Sequence, residues 1–367
     1  MRLRPFSVGL TRPLGTARGE ITEREGFVVG VGTEDGVPAP GVGEAAPLPG
    51  WTESPSACES ALRGVGTDDG GLRPDALDRI DPGETPAARH GLALALADAA
   101  ARGEGRSLAA HLSAARDLPT PAASVPVNAT VGDGDPEATA AAVERAVDDG
   151  FDCVKVKVGA RSLDADVERL RAVREAVGDG VALRADANGA WDRATAGAAV
   201  DRLAPLDLAY VEQPLPADDL DGSAALREGR GDRDRDADDE DGGSAVPIAL
   251  DESLARRDLD TVLAADAADV VVLKPMALGG PDRVLAAAKR ARAAGVEPVI
   301  TTTIDAVVAR TAAVHVAAAV PDVAPCGLAT ASLLADDLAP DPCPVADGEA
   351  SVPNGPGLAG DAFDGLF

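Results

Sequence analysis

Lysine is nearly absent from this chain. Of its 34 basic residues only Lys155, Lys157, Lys274 and Lys289 are lysines, and the rest are arginines. Histidine occurs three times, as His90, His111 and His315, too few and too scattered for a histidine metal site, and each is expected to be structural. The four cysteines, Cys58, Cys153, Cys326 and Cys343, are widely spaced and form no C-x-x-C pair. That argues against a zinc site or a disulfide framework and suits a reducing cytoplasm. No apolar run reaches the roughly 18 residues a membrane span needs. Met1-Arg2-Leu3-Arg4-Pro5 lacks the apolar core of a secretory signal, so the formal glycosylation sequon Asn128-Ala129-Thr130 carries no weight.

Acidic residues number 62, for a net charge of −28, which disfavours nucleic acid and anionic membrane surfaces as partners. An acid-rich, lysine-poor, aromatic-poor composition resembles that of proteins from salt-in halophiles, where a solvated carboxylate surface maintains solubility. The charge is therefore read as habitat, and function is sought elsewhere. A length of 367 residues can bury a large core, as two domains or as one barrel with additions.

Two of the four lysines share one short segment. Phe151, Val154, Val156 and Val158 flank Lys155 and Lys157 in a pattern that reads as a β-strand ended by Gly159, and residues two apart in a strand share a face. Where arginine is otherwise used throughout, lysine points to a group that must lose its proton, because arginine stays charged at any workable pH.

Taken in order, residues 1 to about 57 alternate apolar and polar positions between Gly-rich turns, as in Ser7–Leu10, Gly26–Val31 and Gly41–Ala45, and predict a small antiparallel meander. Gly30-Val31-Gly32 is not a dinucleotide fingerprint, since the next glycine, Gly36, is out of register and no helical pattern follows. Ala87–Asp98 is an Ala/Leu-rich helix that joins the meander in an N-terminal α+β domain, residues 1–118. After Leu118-Pro119, short apolar strands alternate with Ala-rich helices, the rhythm of βα units, over residues 119–339. The expected strands are Val125–Asn128, Cys153–Val158, Val181–Asp186, Leu208–Glu212, Ile248–Asp251, Val270–Lys274, Pro298–Thr302 and Ala324–Leu328, with helices at Pro136–Asp149, Ala165–Val177 and Asp282–Ala294. Residues 222–245, nearly all charged or small, are read as a flexible low-complexity insertion on the face away from the site.

The fold class expected is α/β, a closed (β/α)7β TIM-like barrel with an α+β N-terminal capping domain. Six of the strands end in a polar residue: Lys157, Asp186, Glu212, Asp251, Lys274 and Thr302. In an α/β barrel such ends form one ring around the active site. Asp186, Glu212 and Asp251 on three consecutive strands would supply hard oxygen ligands for Mg²⁺ or Mn²⁺, with lysines facing each other across the metal. Any one of these carboxylates alone would read as a helix cap or loop residue.

The series Lys155-Val156-Lys157, Asp186-Ala187-Asn188, Glu212-Gln213-Pro214, Asp251-Glu252-Ser253 and Lys274 resembles the K-x-K, D-x-N, E-Q-P, D-E-S, K order of the enolase superfamily in its muconate-lactonizing subgroup. Gly43-Glu44-Ala45-Ala46-Pro47-Leu48-Pro49-Gly50-Trp51 is similar to the G-E-x-x-P-L-P-G-[FW] segment of the o-succinylbenzoate synthases within it. The resemblance implies a cytoplasmic Mg²⁺-dependent lyase that takes a small carboxylate, dehydrating 2-succinyl-6-hydroxy-2,4-cyclohexadiene-1-carboxylate to o-succinylbenzoate in menaquinone synthesis. It implies Lys157 as the base, neutral before substrate binds, Lys274 as the cation over the opposite face, Lys155 as a contact to the carboxylate, and Asn188 and Glu252 as supports of the metal shell. It further implies substrate contacts from the loops near Thr16, Arg18 and Pro49-Gly50-Trp51, with Thr302 and Thr303 standing where the family often has a serine pair, and Gly327 and Leu328 offering backbone groups. Residues 340–367, with Gly355-Pro356-Gly357-Leu358, resemble a return of the C-terminus to the cap. The same ring would serve an N-succinylamino acid racemase or a dipeptide epimerase, with Lys157 and Lys274 as a two-base pair. A mandelate racemase-type dehydratase would want a histidine ending strand seven, which is missing, and a non-catalytic barrel would have no use for the intact series.

Overall fold

The computed structural model describes residues 1–16, 19–67, 71–236 and 246–367. At the N-terminus β1 (Arg2–Thr16) and β2 (Gly19–Val31) form a long antiparallel hairpin, and β3 (Gly41–Ala45) pairs with β2. Helices α1 (Pro55–Gly64), α2 (Pro86–Gly103) and α3 (Leu108–Ala114) follow. α2 is buried nearly all round, which is why it is Ala/Leu-rich instead of amphipathic. It lies directly against β3, and a side chain at Gly43 would overlap the Gly91 carbonyl.

A short strand, β4 (Ser124–Pro126), leads into the parallel series: β5 (Ala129–Val131), α4 (Pro136–Asp148), β6 (Cys153–Lys157), α5 (Leu163–Val177), β7 (Ala182–Asp186), α6 (Arg193–Leu203), β8 (Leu208–Glu212), α7 (Leu220–Asp236), β9 (Ile248–Leu250), α8 (Leu259–Ala264), β10 (Val270–Leu273), α9 (Pro275–Leu278), α10 (Pro281–Ala293), β11 (Glu297–Ile300) and α11 (Val307–Ala319). Strands β5 to β11 lie side by side in chain order. Single parallel bridges from Cys326 to Val127 and from Gly327 to Thr301 tie the two edges together. The architecture is thus a TIM-like barrel with an N-terminal α+β cap. The C-terminal β12 (Val345–Ala346) and β13 (Glu349–Ser351) pair antiparallel with β4, while Leu358 donates its N–H to Asp98 on α2 at 2.7 Å.

Three expectations need correction. The expected first barrel strand, Val125–Asn128, is divided: Ser124–Pro126 forms β4 and joins β13 in a separate sheet, where Pro126, lacking an N–H, sits on an edge strand, Val127 and Asn128 meet Cys326 where the barrel closes, and the seven-stranded sheet begins at β5. The eighth strand, expected over Ala324–Leu328, is reduced to the two bridges at Cys326 and Gly327. Gly222–Asp236 is not a flexible insertion but continues α7, the helix after β8; Gly222 and Ser223 are buried, and Arg227 pairs with Asp269 at 2.9 Å. The charge of this segment masked a helix held from its N-terminal end. The rest of that insertion, residues 237–245, lies outside the described residues. All four cysteines are free and buried, and among the described residues no helix is long and apolar enough to cross a membrane.

Candidate active site

Strand register gathers the polar ends. Lys157 is level with Asp186, and Asp186 with Glu212, across β6, β7 and β8, while Lys155 lies two residues below Lys157 on the same face. Asp251 follows the last residue of β9, and Lys274 follows β10.

The lysines and carboxylates meet in pairs. Lys155 Nζ donates to both Glu212 oxygens, at 2.9 and 3.0 Å, and lies 3.1 Å from Asp186 Oδ2. Lys157 Nζ donates to Asp186 Oδ2 at 2.7 Å and to Asn188 Oδ1 at 2.8 Å. Across the ring Lys274 Nζ donates to Asp251 Oδ2 at 2.7 Å. Lys157 is the open one, its side chain 36% exposed against 16% for Lys155 and 10% for Lys274. Among the described residues no three His, Cys, Asp or Glu side chains are drawn together as a metal cluster.

Burial and charge set the protonation of the ring. Against the cost of burial, Lys155 and Lys157 hold Asp186 well below the usual carboxylate range. Burial, then the neighbouring Asp186, push Glu212 up to about 7, and burial, opposed by Lys274, pushes Asp251 up to about 6. Burial disfavours the Lys155 ammonium, but Asp186 and Glu212 outweigh it and raise its pKa well above the ordinary lysine value. Asp251 Oδ1 is buried with no hydrogen-bond partner, as is Glu252 Oε2. A buried carboxylate oxygen left without a donor is the kind of lone pair a hard cation uses.

Asn188 and Gln213 brace the ring, both with left-handed backbone, at φ 47° and 42°. Asn188 donates its N–H to Asp186 Oδ1 at 3.1 Å and its amide to Glu252 Oε1 at 2.9 Å. Gln213 is fully buried; its Oε1 accepts the N–H groups of Asp251 and Ser253 at 3.0 and 3.1 Å, and its Nε2 donates to Ser253 Oγ and the Leu215 carbonyl. Sequence reasoning assigned Gln213 no role; the signal available was its place beside Glu212, in a motif quoted only as a marker.

The remaining candidates divide. The ring of Trp51 lies over Lys274, with Nζ 3.3 Å from its centroid, so the capping loop reaches the barrel centre. Pro49 bridges to Thr52, and Gly50, at φ 103°, makes the turn that returns Trp51. Thr302 Oγ1 lies 3.4 Å from Thr330 Oγ1, and the Thr303 hydroxyl donates to Asp305. Gly327 has its N–H on the Ile300 carbonyl and its carbonyl on the Thr301 hydroxyl, so both backbone groups serve barrel closure, and Leu328 is fully buried. Thr16 ends β1, and Arg18 lies outside the described residues.

Lys155, Lys157 and Lys274 thus meet Asp186, Glu212 and Asp251 at the C-terminal ends of the barrel strands. Residues 138–361 match the family model described as Enolase C-terminal domain-like. The chain is 40% identical over 223 residues to an o-succinylbenzoate synthase of Thermobifida fusca (strain YX), covering 60% of this chain and 63% of that protein. It is 32% identical over 194 residues to an N-succinyl-L-Arg/Lys racemase of Bacillus cereus, covering 52% of this chain and 48% of that one. These matches thus span from about half to just under two thirds of the relatives' own length. Among solved structures, the dipeptide epimerase from Enterococcus faecalis V583 complexed with Mg and dipeptide L-Leu-L-Tyr superposes with a TM-score of 0.79 at 26% identity, over 98% of each chain. The chain belongs to the enolase superfamily, in its muconate-lactonizing subgroup.

Proposed function

We propose that this chain is an o-succinylbenzoate synthase, removing water from 2-succinyl-6-hydroxy-2,4-cyclohexadiene-1-carboxylate with the aid of Mg²⁺, or of Mn²⁺ in its place. The observation that carries the chemistry is the opposed pair Lys157 on Asp186 and Lys274 on Asp251. The choice of substrate is supported by the 40% identity to the Thermobifida fusca synthase.

Asp186, Glu212 and Asp251 would hold the cation. Their donors are all hard oxygens, and Asp251 Oδ1 has no other partner. When bound, the cation supplies Lewis-acid stabilisation of the negative charge that grows on the substrate carboxylate. In this reading Lys157 Nζ, the most open of the three ammonium positions, takes the proton from the carbon α to that carboxylate. The same nitrogen returns a proton to the departing hydroxyl on the same face, so that one C–H and one C–O bond break and water leaves. Lys274, held by Asp251 and covered by Trp51, stays cationic on the other face and stabilises the enolate. Lys155 contacts the carboxylate, and Asn188 fixes the position of Lys157 Nζ. In the same proposal residues 1–118 form the cap, joined by 340–367, and 119–339 form the barrel, while the Pro49–Trp51 turn, Thr302 and Thr303 line the substrate side.

A second reading, N-succinylamino acid racemase, is favoured by the same opposed lysines acting as two bases and by the similarity to the Bacillus cereus racemase. Dehydration followed by ultraviolet absorbance in concentrated KCl with Mg²⁺, run beside an N-succinylamino acid racemisation assay, decides between them. Fast dehydration abolished by Lys157→Ala supports the synthase; racemisation alone transfers the function to the second reading.

A further inference from the structure

Arg24, on β2 in the cap, is 2% exposed and donates to three backbone carbonyls. Nη2 reaches Ala46 at 2.7 Å, Nη1 reaches Pro47 at 3.2 Å, and Nε reaches Ile304 at 3.1 Å. The first two belong to the base of the turn that carries Trp51. That turn is otherwise closed on itself, with Trp51 and Thr52 donating to the Leu48 carbonyl and Leu48 donating to the Thr52 hydroxyl. The third acceptor belongs to the barrel loop after β11. There Ile304 sits at φ 60°, a left-handed backbone that a β-branched residue rarely adopts, directly after Thr302 and Thr303.

One guanidinium therefore joins the cap turn that carries Trp51 to the neighbouring barrel loop after β11. Burial pulls its pKa below the ordinary arginine value, and two buried carboxylates, Asp305 and Glu44, oppose that by favouring its charge. Glu44 adds a second tie between the same parts: its carboxylate accepts the N–H groups of Ala306 and Ala309 at the start of α11, each at 2.9 Å. Only a planar fork with donors in several directions can hold three carbonyls from two loops at once, and a lysine has no such fork.

We propose that Arg24 is a positioning residue that sets the specificity side of the pocket, holding Trp51 over Lys274 and tying the Thr302–Ile304 loop to the same turn through its three backbone hydrogen bonds. The proposal rests on the functional reading above for the identity of the pocket. Its first test needs no substrate.

The chain has two tryptophans, so in a Trp191→Phe background the emission reports Trp51 alone. Arg24→Met is expected to release the ring from the Lys274 ammonium, giving brighter and red-shifted emission, with and without Mg²⁺. With whichever substrate the parent turns over, kcat/KM is expected to fall about 10- to 100-fold, carried mainly by KM, because displacement of positioning groups by about 1 Å has effects of that order. Arg24→Lys, which keeps the charge but not the fork, is expected to lie between parent and Arg24→Met in both readouts; should the methionine variant fail to fold, the lysine variant decides alone. Emission equal to the parent's overturns the proposal, and so does altered emission with an unchanged KM. A parent protein that turns over neither substrate refutes the functional reading, while the emission still decides whether Arg24 holds Trp51.

Discussion

Lys155 is the cation that bridges Asp186 and Glu212, and replacing it with methionine tests whether the ring is neutralised as its geometry indicates. The substitution keeps the apolar stem and removes two contacts to Glu212, at 2.9 and 3.0 Å, and one to Asp186 at 3.1 Å. Breaking a buried ion pair from one side ordinarily costs about 3–5 kcal/mol. Here Glu212 has an escape: with its pKa already near 7, taking a proton near pH 8 costs only about 1.4 kcal/mol, and near pH 6 almost nothing. Asp186 keeps Lys157 at 2.7 Å, so its share is a partial loss of about 1–2 kcal/mol. The sum is a destabilisation of about 2–3 kcal/mol near pH 8, smaller by about 1 kcal/mol near pH 6. A divalent cation supplies the missing counter-charge, so adding Mg²⁺ should shrink the difference. The assay is urea unfolding of parent and Lys155→Met at both pH values, with EDTA and with excess Mg²⁺. A loss below about 1 kcal/mol near pH 8 in EDTA, or an equal loss at both pH values, would refute the argument.

Lys157→Ala should reduce turnover at least about 1,000-fold while leaving thermal unfolding within a few degrees of the parent, since this side chain is 36% exposed; steady-state kinetics and calorimetry check both halves. Gln213→Leu strands the N–H groups of Asp251 and Ser253 and should cost about 2–4 kcal/mol, with weaker Mg²⁺ binding by titration calorimetry because Asp251 loses its brace. His315, buried with Nδ1 accepting from Ala109 and Nε2 donating to Leu358, is pushed down to about 4 by burial. Its neutral form therefore contributes stability that is complete above pH 6.5 and lost as pH falls towards 4. The loss at pH 5 is about 2 kcal/mol and should be absent from the acid limb of the unfolding curve of His315→Gln.

How far the sequence was legible depended on whether a residue's role follows from its own strand. Lys155 and Lys157 share a face because they are two apart, and Asp186 and Glu212 become level with Lys157 once parallel strands are paired in order. These relations need only the period of a strand and the rhythm of βα units. β5 escaped notice because Ala129, Thr130 and Val131 carry no apolar run, whereas Val125 and Pro126 looked like a strand and became one in another sheet. The helix over 220–236 escaped for a similar reason: its composition is that of a solvated loop, and it is the barrel wall beside it that supports its first turns.

The sequence by itself determined the class of fold, the order of the strand ends and the residue types of the ring, because local periodicity and one-dimensional spacing carry that information. Tertiary structure alone decided which lysine lies on which carboxylate, that Trp51 stacks on Lys274, and that Arg24 and Glu44 join cap to barrel. Arg24 and Ile304 are 280 positions apart, and Glu44 and Ala306 are 262. No local pattern marks such pairs; they come together only when two separately patterned parts pack and each buried polar group must find its partner across the seam.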